Sequence, residues 1–181
     1  MAWEKRVVWT EGMMLQPHHF QQQSRYHEAQ LRQAVNACMP YPWGLLTVEI
    51  EQSLLKTGKF GINRAEGVFN DGSLFSIPET DKLPKAIDID PSHLNATLYL
   101  ALPIRRQGNN EINREQACAG RYQLAEQEIR DVSGLTNNKA FVEVAGLNCS
   151  LRTSLQDNSE FVCLALAKVD DVSPNGNVSL S

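Results

Sequence analysis

The spacing of apolar and polar residues predicts one long helix near the start of the chain. Residues 17–39 contain no glycine and no proline beyond the first position. Pro17 suits the first turn of a helix, where its missing N–H is not needed, and Gln16 before it is disfavoured in the helical region and can cap the helix. Pro40 and Pro42 prevent the helix from continuing. We therefore expect a helix over residues 17–39.

This helix has one narrow apolar face, formed by residues that recur at spacings of three and four. A helix with so narrow a stripe is not stable alone in water, so we expect it to lie against the rest of the chain or against another chain. His27, which falls on this face, is expected to be a hydrogen-bonded core residue. The apolar stripe comprises Phe20, His27, Leu31, Ala34, Val35 and Cys38, and the polar side comprises Gln22, Arg25, Gln30, Arg32, Gln33 and Asn36.

Short strands separated by turn residues account for most of the remaining chain. Residues 5–10 are a first strand candidate, and Glu11 and Gly12 after it form a natural turn. The clearest hairpin covers residues 67–78, with Asp71 and Gly72 at its turn, because glycine accepts a positive φ without steric cost. Residues 121–132 fit either a helix or a strand by spacing, and their position among strands favours a strand. Further strands are expected at residues 45–55, 96–103, 141–154, 160–172 and 178–181.

Together these elements predict a mainly β fold, a β-sandwich with one long N-terminal α-helix. The expected organisation is an N-terminal strand and bracing helix over residues 1–39 and a sandwich over residues 40–181, which together make one domain. Residues 105–120 are polar and rich in asparagine, which predicts a long exposed loop. Because the chain ends within a predicted strand, we expect it to be a fragment of a longer protein.

Charge and composition exclude several classes of function. The 181 residues are 42% hydrophobic, enough for a real core, and carry 17 basic and 21 acidic residues for a net charge of -4. A nucleic acid or an anionic membrane surface usually needs a basic face, so neither is an expected partner. No run approaches the roughly 20 apolar residues that span a bilayer, and no signal peptide is visible. We therefore expect a cytoplasmic protein that is not inserted in the membrane.

The cysteines do not form a recognisable framework. They are widely scattered and include no CxxC pair, which favours four reduced thiols over disulfides. Several of these thiols are expected to be buried as small hydrophobic groups. The four residues are Cys38, Cys118, Cys149 and Cys163.

Candidate chemistry is sparse. His18 and His19 are adjacent, so on a helix they point about 100° apart, and His27 is off the face of both. A zinc-binding pair on a helix needs a spacing of four, so a metal site is not expected, and the first two histidines are predicted to help to fix the helix start. No GxSxG, GxGxxG or GxxxxGK[ST] motif occurs. No catalytic, cofactor-binding or metal-binding residue is predicted, and an enzyme is not expected.

Large apolar and aromatic residues cluster near the N-terminus. Such groups belong either to a core or to an interface, and tryptophan and methionine are enriched at interfaces. Both alternatives stay open from the sequence. The cluster comprises Trp3, Trp9, Met13, Met14, Phe20 and Trp43.

The stretch VVWTEGMMLQPHHFQQQ, residues 7–23, resembles the N-terminal signature of the TssK family, the baseplate proteins of bacterial type VI secretion systems. The stretches PYPWGL, FNDGSLFSIP, DKLP, YLALPI and FVCLALAKVDDVSPNGNVSLS are similar to later parts of the family in the same order. The resemblance thus extends over nearly the whole chain. The signature residues are Trp9, Glu11, Gly12, Leu15, Pro17, His18, His19, Phe20, Gln21 and Gln22.

This resemblance implies a fold and a set of partners. Family members are longer, with an N-terminal shoulder, a helical neck and a C-terminal head, and the shoulder is a β-sandwich similar to that of siphophage receptor-binding proteins. The resemblance implies a trimer whose shoulder attaches to the TssF–TssG wedge and whose head contacts TssL and TssM at the inner membrane. This chain would be the shoulder alone, without neck or head. Its signature residues would then form a structural junction or a partner-binding site.

A second function class stays open beside this one. Many β-sandwiches bind or hydrolyse carbohydrates through surface aromatic residues, so a carbohydrate-binding module is the alternative. The aromatic residues here cluster near the N-terminus and not along the later strands, which counts against that alternative.

Overall fold

The computed structural model of the protein describes residues 3–112, 120–131, 139–174 and 176–181. The chain divides into two compact units, a first that ends at Pro42 and a second that begins at Trp43. That the two form one shoulder domain stays a prediction.

The first unit contains the long helix, α1, which spans Pro17–Cys38. Its ends lie where the sequence predicted them, with extended backbone at Gln16 before the helix and at Met39 after it. The strand predicted over residues 5–10 is wrong, because residues 3–10 form no strand. The physical reason is that the carbonyl oxygens of Trp3 and Lys5 accept hydrogen bonds from a glutamine side chain of α1 instead of from a neighbouring strand.

The second unit consists mainly of strands, all paired antiparallel. A short helix, α2, spans Gln52–Leu55, and one turn of 3-10 helix spans Pro91–His93. The strands are β1 Gly44–Ile50, β2 Lys59–Phe60, β3 Ile62–Val68, β4 Leu74–Ile77, β5 Ile87–Asp88, β6 Thr97–Pro103, β7 Tyr122–Arg130, β8 Lys139–Leu147, β9 Ser150–Thr153, β10 Phe161–Val172 and β11 Val178–Leu180.

Two sheets share one core. The first has strand order β1-β3-β4, and the second has strand order β11-β10-β6-β9. Leu98, Leu100 and Leu102 alternate along β6 and are fully buried, and they belong to the same apolar cluster as Ala65 and Ile77 of the first sheet. Alternate inward residues from two antiparallel sheets define a sandwich. The predicted mainly β fold with one long N-terminal helix is therefore confirmed.

Two smaller ribbons accompany the sandwich. Strands β2 and β5 pair over two residues each, whereas β7 and β8 form a long hairpin of nine paired residues. The strand interpretation of residues 121–132 is thus confirmed for Tyr122–Arg130. Of the predicted loop over residues 105–120, residues 113–119 lie outside the described part. Within residues 105–112 the structure shows no helix or strand, apart from an isolated bridge from Ile112 to Tyr122.

The structure confirms the predicted hairpin turn and corrects the extent of two predicted strands. The hairpin turn at Asp71 and Gly72 is confirmed, since Gly72 has a φ of +84° and β3 pairs with β4 on either side. The strand predicted over residues 45–55 is wrong beyond β1, because the Glu51 side chain accepts a hydrogen bond from the Ser53 N–H at 3.1 Å and starts α2. The predicted strand over residues 141–154 is interrupted between β8 and β9.

The described cysteines are free thiols. Cys38 is exposed, Cys149 is buried and Cys163 is half-buried, while Cys118 lies outside the described residues, so the reduced state of all four stays a prediction. Burial raises the pKa of the Cys149 thiol to about 12, with a smaller contribution from the nearby Asp81 carboxylate. In the part of the chain that the structure describes, no helix has both the length and the apolar character needed to cross a membrane.

Candidate partner-binding site

The signature segment begins with a tight turn. The Met13 N–H donates to the Thr10 carbonyl oxygen at 3.3 Å, with Glu11 and Gly12 between them. Gly12 has a φ of +77°, a conformation that favours glycine over residues with a Cβ. The predicted Glu11-Gly12 turn is therefore confirmed.

A histidine side chain completes the start of α1. His19 Nδ1 accepts a hydrogen bond from the Gln16 N–H at 3.0 Å, and the His19 N–H donates back to the Gln16 carbonyl oxygen at 3.0 Å. Glutamate or glutamine at the third helical position usually makes this reciprocal contact. The imidazole of His19 takes that place here, which confirms its predicted role at the helix start. His18 is exposed, and its ring centroid lies 4.9 Å from that of His19.

An open aromatic group surrounds this helix start. The Trp9 ring centroid lies 6.4 Å from that of His19 and 6.3 Å from that of Phe20, with tilted planes in both pairs. Tilted arrangements at such distances are favourable contacts between aromatic rings. Trp9 nevertheless keeps 46% of its surface exposed and Phe20 keeps 55%. These residues form a surface group and not part of a closed core.

One side chain of α1 holds the N-terminal residues. The Gln22 side-chain amide donates to the carbonyl oxygens of Trp3 at 2.9 Å and Lys5 at 2.7 Å. The Gln22 side-chain oxygen accepts a hydrogen bond from the Arg25 guanidinium at 3.3 Å. That guanidinium in turn lies 5.0 Å from the centre of the Trp3 ring, a distance typical of a cation–π contact. We call this set of contacts, Trp3, Lys5, Gln22 and Arg25, the glutamine clamp.

A salt bridge on the same side of the helix lies about two turns beyond Arg25. The Arg32 guanidinium lies 2.8 Å from the Glu4 carboxylate, and both side chains are partly exposed. Ala29 is only 2% exposed and is the buried residue of α1. At 100° per residue, Arg25, Ala29 and Arg32 lie within about 60° of one another on the helix. The covered part of α1 therefore lies on its polar side, around Ala29, although Gln30, Gln33 and Asn36 on that side remain exposed.

The apolar stripe lies on the opposite face, and it is exposed. At 100° per residue, Phe20 and Ala29 are separated by about 180° around the helix. Within this chain, Phe20, Leu31 and Val35 expose 55%, 60% and 37% of their surfaces. The polar face is the covered one because the N-terminal backbone carbonyls need hydrogen-bond donors, which glutamine supplies and apolar side chains do not.

The prediction that His27 is a core residue is wrong. His27 is exposed on the stripe side of α1. It is hydrogen-bonded as expected, since its Nε2 lies 2.9 Å from the Gln23 side-chain nitrogen, and its ring centroid lies 5.7 Å from that of Tyr26. Polar contacts along the helix surface therefore replace the predicted core position.

The structure brings together part of the predicted signature. Trp9, His18, His19 and Phe20 form the aromatic group, and Gln22 belongs to the glutamine clamp. The remaining signature residues are exposed, and they are Glu11, Gly12, Leu15, Pro17 and Gln21.

The clamp partners and the Glu4–Arg32 pair were not predicted. Residues 28 positions apart share no periodic spacing, so no pattern in the sequence connects Glu4 to Arg32. A run of polar residues on one helix face was the only available signal. Among the described residues, no group of three or more histidine, cysteine, aspartate or glutamate side chains could hold a metal ion.

Comparison with known proteins assigns the class. A family model described as bacterial type VI secretion, including EvfL, ImpJ and VasE, matches residues 19–181. The chain belongs to this family of bacterial type VI secretion proteins, as the resemblance of its signature predicted.

Individual proteins that are similar to this chain are baseplate proteins of the TssK type. The type VI secretion system baseplate component TssK1 of Pseudomonas aeruginosa is 32% identical over 99% of this chain and 41% of the relative. The crystal structure of TssK matches with a TM-score of 0.92 and 30% identity over 98% of this chain and 41% of that one. TssK in a TssK–TssF–TssG baseplate subcomplex shares the fold, with a TM-score of 0.86 and 21% identity over 100% of this chain and 60% of that one. This chain thus spans about two-fifths of the length of its curated relative.

Proposed function

We propose that this chain is the shoulder domain of a TssK-type baseplate protein, a non-enzymatic adaptor that binds the TssF–TssG wedge through the exposed face of α1. The similarity to a baseplate component over nearly the whole chain supports this proposal. So does the fold shared with TssK in a complex whose other components are TssF and TssG.

The observation that carries the proposal is the uncovered apolar stripe. A 22-residue helix with one apolar face gains most of its stability by burying that face. In α1 the polar face carries the internal contacts, and Leu31 and Val35 remain accessible. Exposed apolar and aromatic groups along one helix face are typical of a protein interface. The stripe and the aromatic group together therefore suit an apolar segment of a partner protein.

The proposal extends to the longer protein. The family resemblance implies that the longer protein is a homotrimer in a cytoplasmic baseplate at the inner face of the inner membrane. It also implies that a head domain contacts TssL and TssM. By the same resemblance, the contacts with TssL and TssM are made by the head and not by this chain. Attachment to the wedge is the part of the function that we assign to the residues described above.

Two leucines of equal exposure provide the test. Leu31 on the stripe exposes 60% of its surface, and Leu155, in the turn between β9 and β10, exposes 61%. We expect Leu31→Asp to weaken binding to purified TssF–TssG at least about tenfold, because a carboxylate would lose its hydration in the interface. Leu155→Asp is the matched control and is expected to leave binding unchanged. Fluorescence anisotropy with labelled chain gives both dissociation constants.

Folding must be separated from binding in this test. Because the Leu31 side chain is exposed in this chain, both variants should stay folded, with Leu31→Asp losing only about 0.5 kcal/mol of stability from the poorer helix propensity of aspartate. Equal binding by all three proteins would contradict the assignment of the stripe to the wedge. A glycan array that retained the parent protein would instead favour the carbohydrate-binding alternative.

A further inference from the structure

The turn between β3 and β4 carries the one Asp–Gly pair of the sequence, Asp71 and Gly72. The backbone nitrogen that follows an aspartate can attack the side-chain carboxyl carbon and close a five-membered succinimide ring with loss of water. Glycine hinders this attack least, because it has no Cβ. Gly72 is exposed and Asp71 is half-buried, so burial alone does not protect the pair. Any protection has to come from the contacts of the turn.

The nitrogen that would attack is engaged within the turn. The Gly72 N–H donates to the Phe69 carbonyl oxygen at 2.9 Å, and the Phe69 N–H donates to the Ser73 carbonyl oxygen at 2.9 Å. Ring closure requires the Gly72 nitrogen to lose its proton and to approach the Asp71 carboxyl carbon. The hydrogen bond to Phe69 must break for this to happen, so the turn has to open before the nitrogen can react.

Both oxygens of the Asp71 carboxylate are also held. Oδ1 accepts a hydrogen bond from the Ser73 N–H at 3.0 Å, and Oδ2 accepts one from the Arg121 guanidinium at 2.6 Å. Arg121 is buried and donates to the Ser73 hydroxyl as well, at 2.6 Å. A nearby cation favours the ionised form of a carboxyl group. An ionised carboxylate is a poor electrophile, since its charge repels the nitrogen and its oxygen does not leave as water.

We propose that Asp71–Gly72 is a modification site at which isoaspartate forms when the turn is released from Arg121, and that the folded sandwich suppresses this reaction. The Gly72 nitrogen bonds to Cγ of the neutral Asp71 carboxyl group, and one carboxyl oxygen leaves as water with the protons of the nitrogen and the carboxyl group. Water then adds to one of the two ring carbonyl groups, which restores aspartate or gives isoaspartate. This reaction is independent of the wedge attachment proposed above.

The isoaspartyl product would not regain the native contacts. Its main chain is longer by one methylene group, and its carboxylate is attached directly to Cα. The charge then no longer meets Arg121 in the same geometry, and the buried guanidinium loses its partner. A chain that stays open for long should therefore refold to a less stable sandwich. The exposed isoaspartyl carboxylate is the chemical group that isoaspartyl methyltransferases methylate with S-adenosylmethionine.

Incubation of the whole chain tests the site. We expect isoaspartate at residue 71 to form at least about tenfold faster in guanidinium chloride than in buffer at the same pH and temperature, because only the open turn can react. Trypsin releases residues 65–82 as one peptide. Its isoaspartyl form has an unchanged mass and separates from the aspartyl form by reversed-phase chromatography. Deamidation of Asn70 in the same peptide is recognised because it changes the mass.

Two destabilised variants separate the release of Asp71 from general unfolding. Arg121→Ala removes the cation, whereas Leu98→Ala leaves the turn contacts in place and destabilises the sandwich through a cavity, since Leu98 is fully buried. Denaturation curves allow the two to be compared at the same unfolded fraction. We expect Arg121→Ala to isomerise at least about fivefold faster there, because its turn opens locally. Arg121→Lys, which keeps the charge but not the planar fork, repeats the comparison in a milder variant.

Methyl transfer provides an independent measurement. An isoaspartyl methyltransferase with tritiated S-adenosylmethionine should label the incubated unfolded chain at residue 71. Asp71→Glu should remove that label, because its carboxyl group would have to close a six-membered ring. An unfolded chain without isoaspartate at residue 71 would overturn the site, and equal rates in the folded and unfolded parent would overturn its protection. Equal rates for both arginine variants and Leu98→Ala at the same unfolded fraction would overturn the role of Arg121.

Discussion

At the scale of single residues, Arg121 of the second unit is a buried cation whose guanidinium needs hydrogen-bond partners inside the protein. Arg121 is 3% exposed. It donates to the Asp71 carboxylate and the Ser73 hydroxyl, each at 2.6 Å, and to the Pro103 carbonyl oxygen. A buried cation is tolerated only when it is paired and hydrogen-bonded. Arg121 therefore ties the β3–β4 turn to the end of β6 and the start of β7.

Removing this cation should destabilise the sandwich strongly. We expect Arg121→Ala to lower the free energy of unfolding by about 3 kcal/mol or more, because it leaves the partly buried Asp71 carboxylate without its partner. Arg106→Ala is a matched control, since Arg106 pairs with Glu160 at the surface, and it should cost under about 1 kcal/mol. Urea unfolding curves measure both. Similar losses for the two variants would contradict the role given to Arg121.

The same pair should make stability depend on acid. Burial raises the pKa of Asp71, but the Arg121 charge and the hydrogen bonds from Ser73 outweigh it, so the pKa lies below its ordinary value. A lowered folded-state pKa contributes stability above the unfolded pKa, near 4, and that contribution is lost as the pH falls through the folded pKa. Unfolding free energy measured from pH 6 downward should therefore fall below about pH 4. Asp71→Asn should flatten this decrease, and an unchanged slope would exclude Asp71 as its source.

The sequence indicated the structural role of Asp71 but not that of its partner Arg121. Asp71 and Gly72 stand in a turn motif, whose φ requirement is local and therefore readable. Arg121 lies 50 residues further on, beside a polar stretch, and nothing in its neighbours indicates that it is buried. Contacts that depend on how strands pack are not encoded in a local pattern.

At the scale of elements, the ends of α1 could be predicted from neighbouring residues, whereas its covered face could not. Its ends were predictable because proline acts within one turn of its own position. The covered face was not, because the first residues of the chain, and not an apolar layer, occupy it. The strand expected over residues 5–10 failed for the same reason, since its carbonyl groups bond to a side chain. A pattern predicts which residues share a face, and the available partners decide which face is covered.

The helix start offers a prediction that distinguishes two neighbouring histidines. We expect His19→Ala to lower helix stability by about 0.5–1 kcal/mol, because the Gln16 N–H loses its acceptor. His19→Gln should retain most of that stability, since glutamine makes the usual capping contact. His18→Ala is the matched control and should have little effect. Hydrogen exchange of the Gln16 amide reports the contact directly, and equal protection in all variants would contradict it.

At the scale of the whole molecule, the class of fold followed from the number and spacing of strands. Their order in the sheets did not, since β6 lies between β9 and β10, which are distant in sequence from it. Nothing in the composition of these strands specifies that arrangement. The family resemblance predicted a β-sandwich shoulder but not the order of its strands.

The reactivity of the buried Cys149 thiol should show whether the whole second unit is folded. The buried Cys149 has a pKa raised to about 12, so at pH 8 it is almost entirely protonated as well as inaccessible, whereas Cys38 is exposed. Iodoacetamide should label Cys38 in the native protein and label Cys149 only when urea unfolds the sandwich. Mass spectrometry of the digested protein separates the two sites. Native labelling of Cys149 at the rate of Cys38 would show that the core opens locally.

The glutamine clamp has a practical consequence for producing this protein. A shortened version beginning at Val7 would lose both carbonyl acceptors of Gln22 and the Glu4 partner of Arg32. A purification tag fused directly ahead of Trp3 would crowd the same helix face. A flexible glycine-serine spacer between tag and chain avoids that crowding. Residues 3–6 should therefore be kept in any shortened version, because they make hydrogen bonds and a salt bridge to α1.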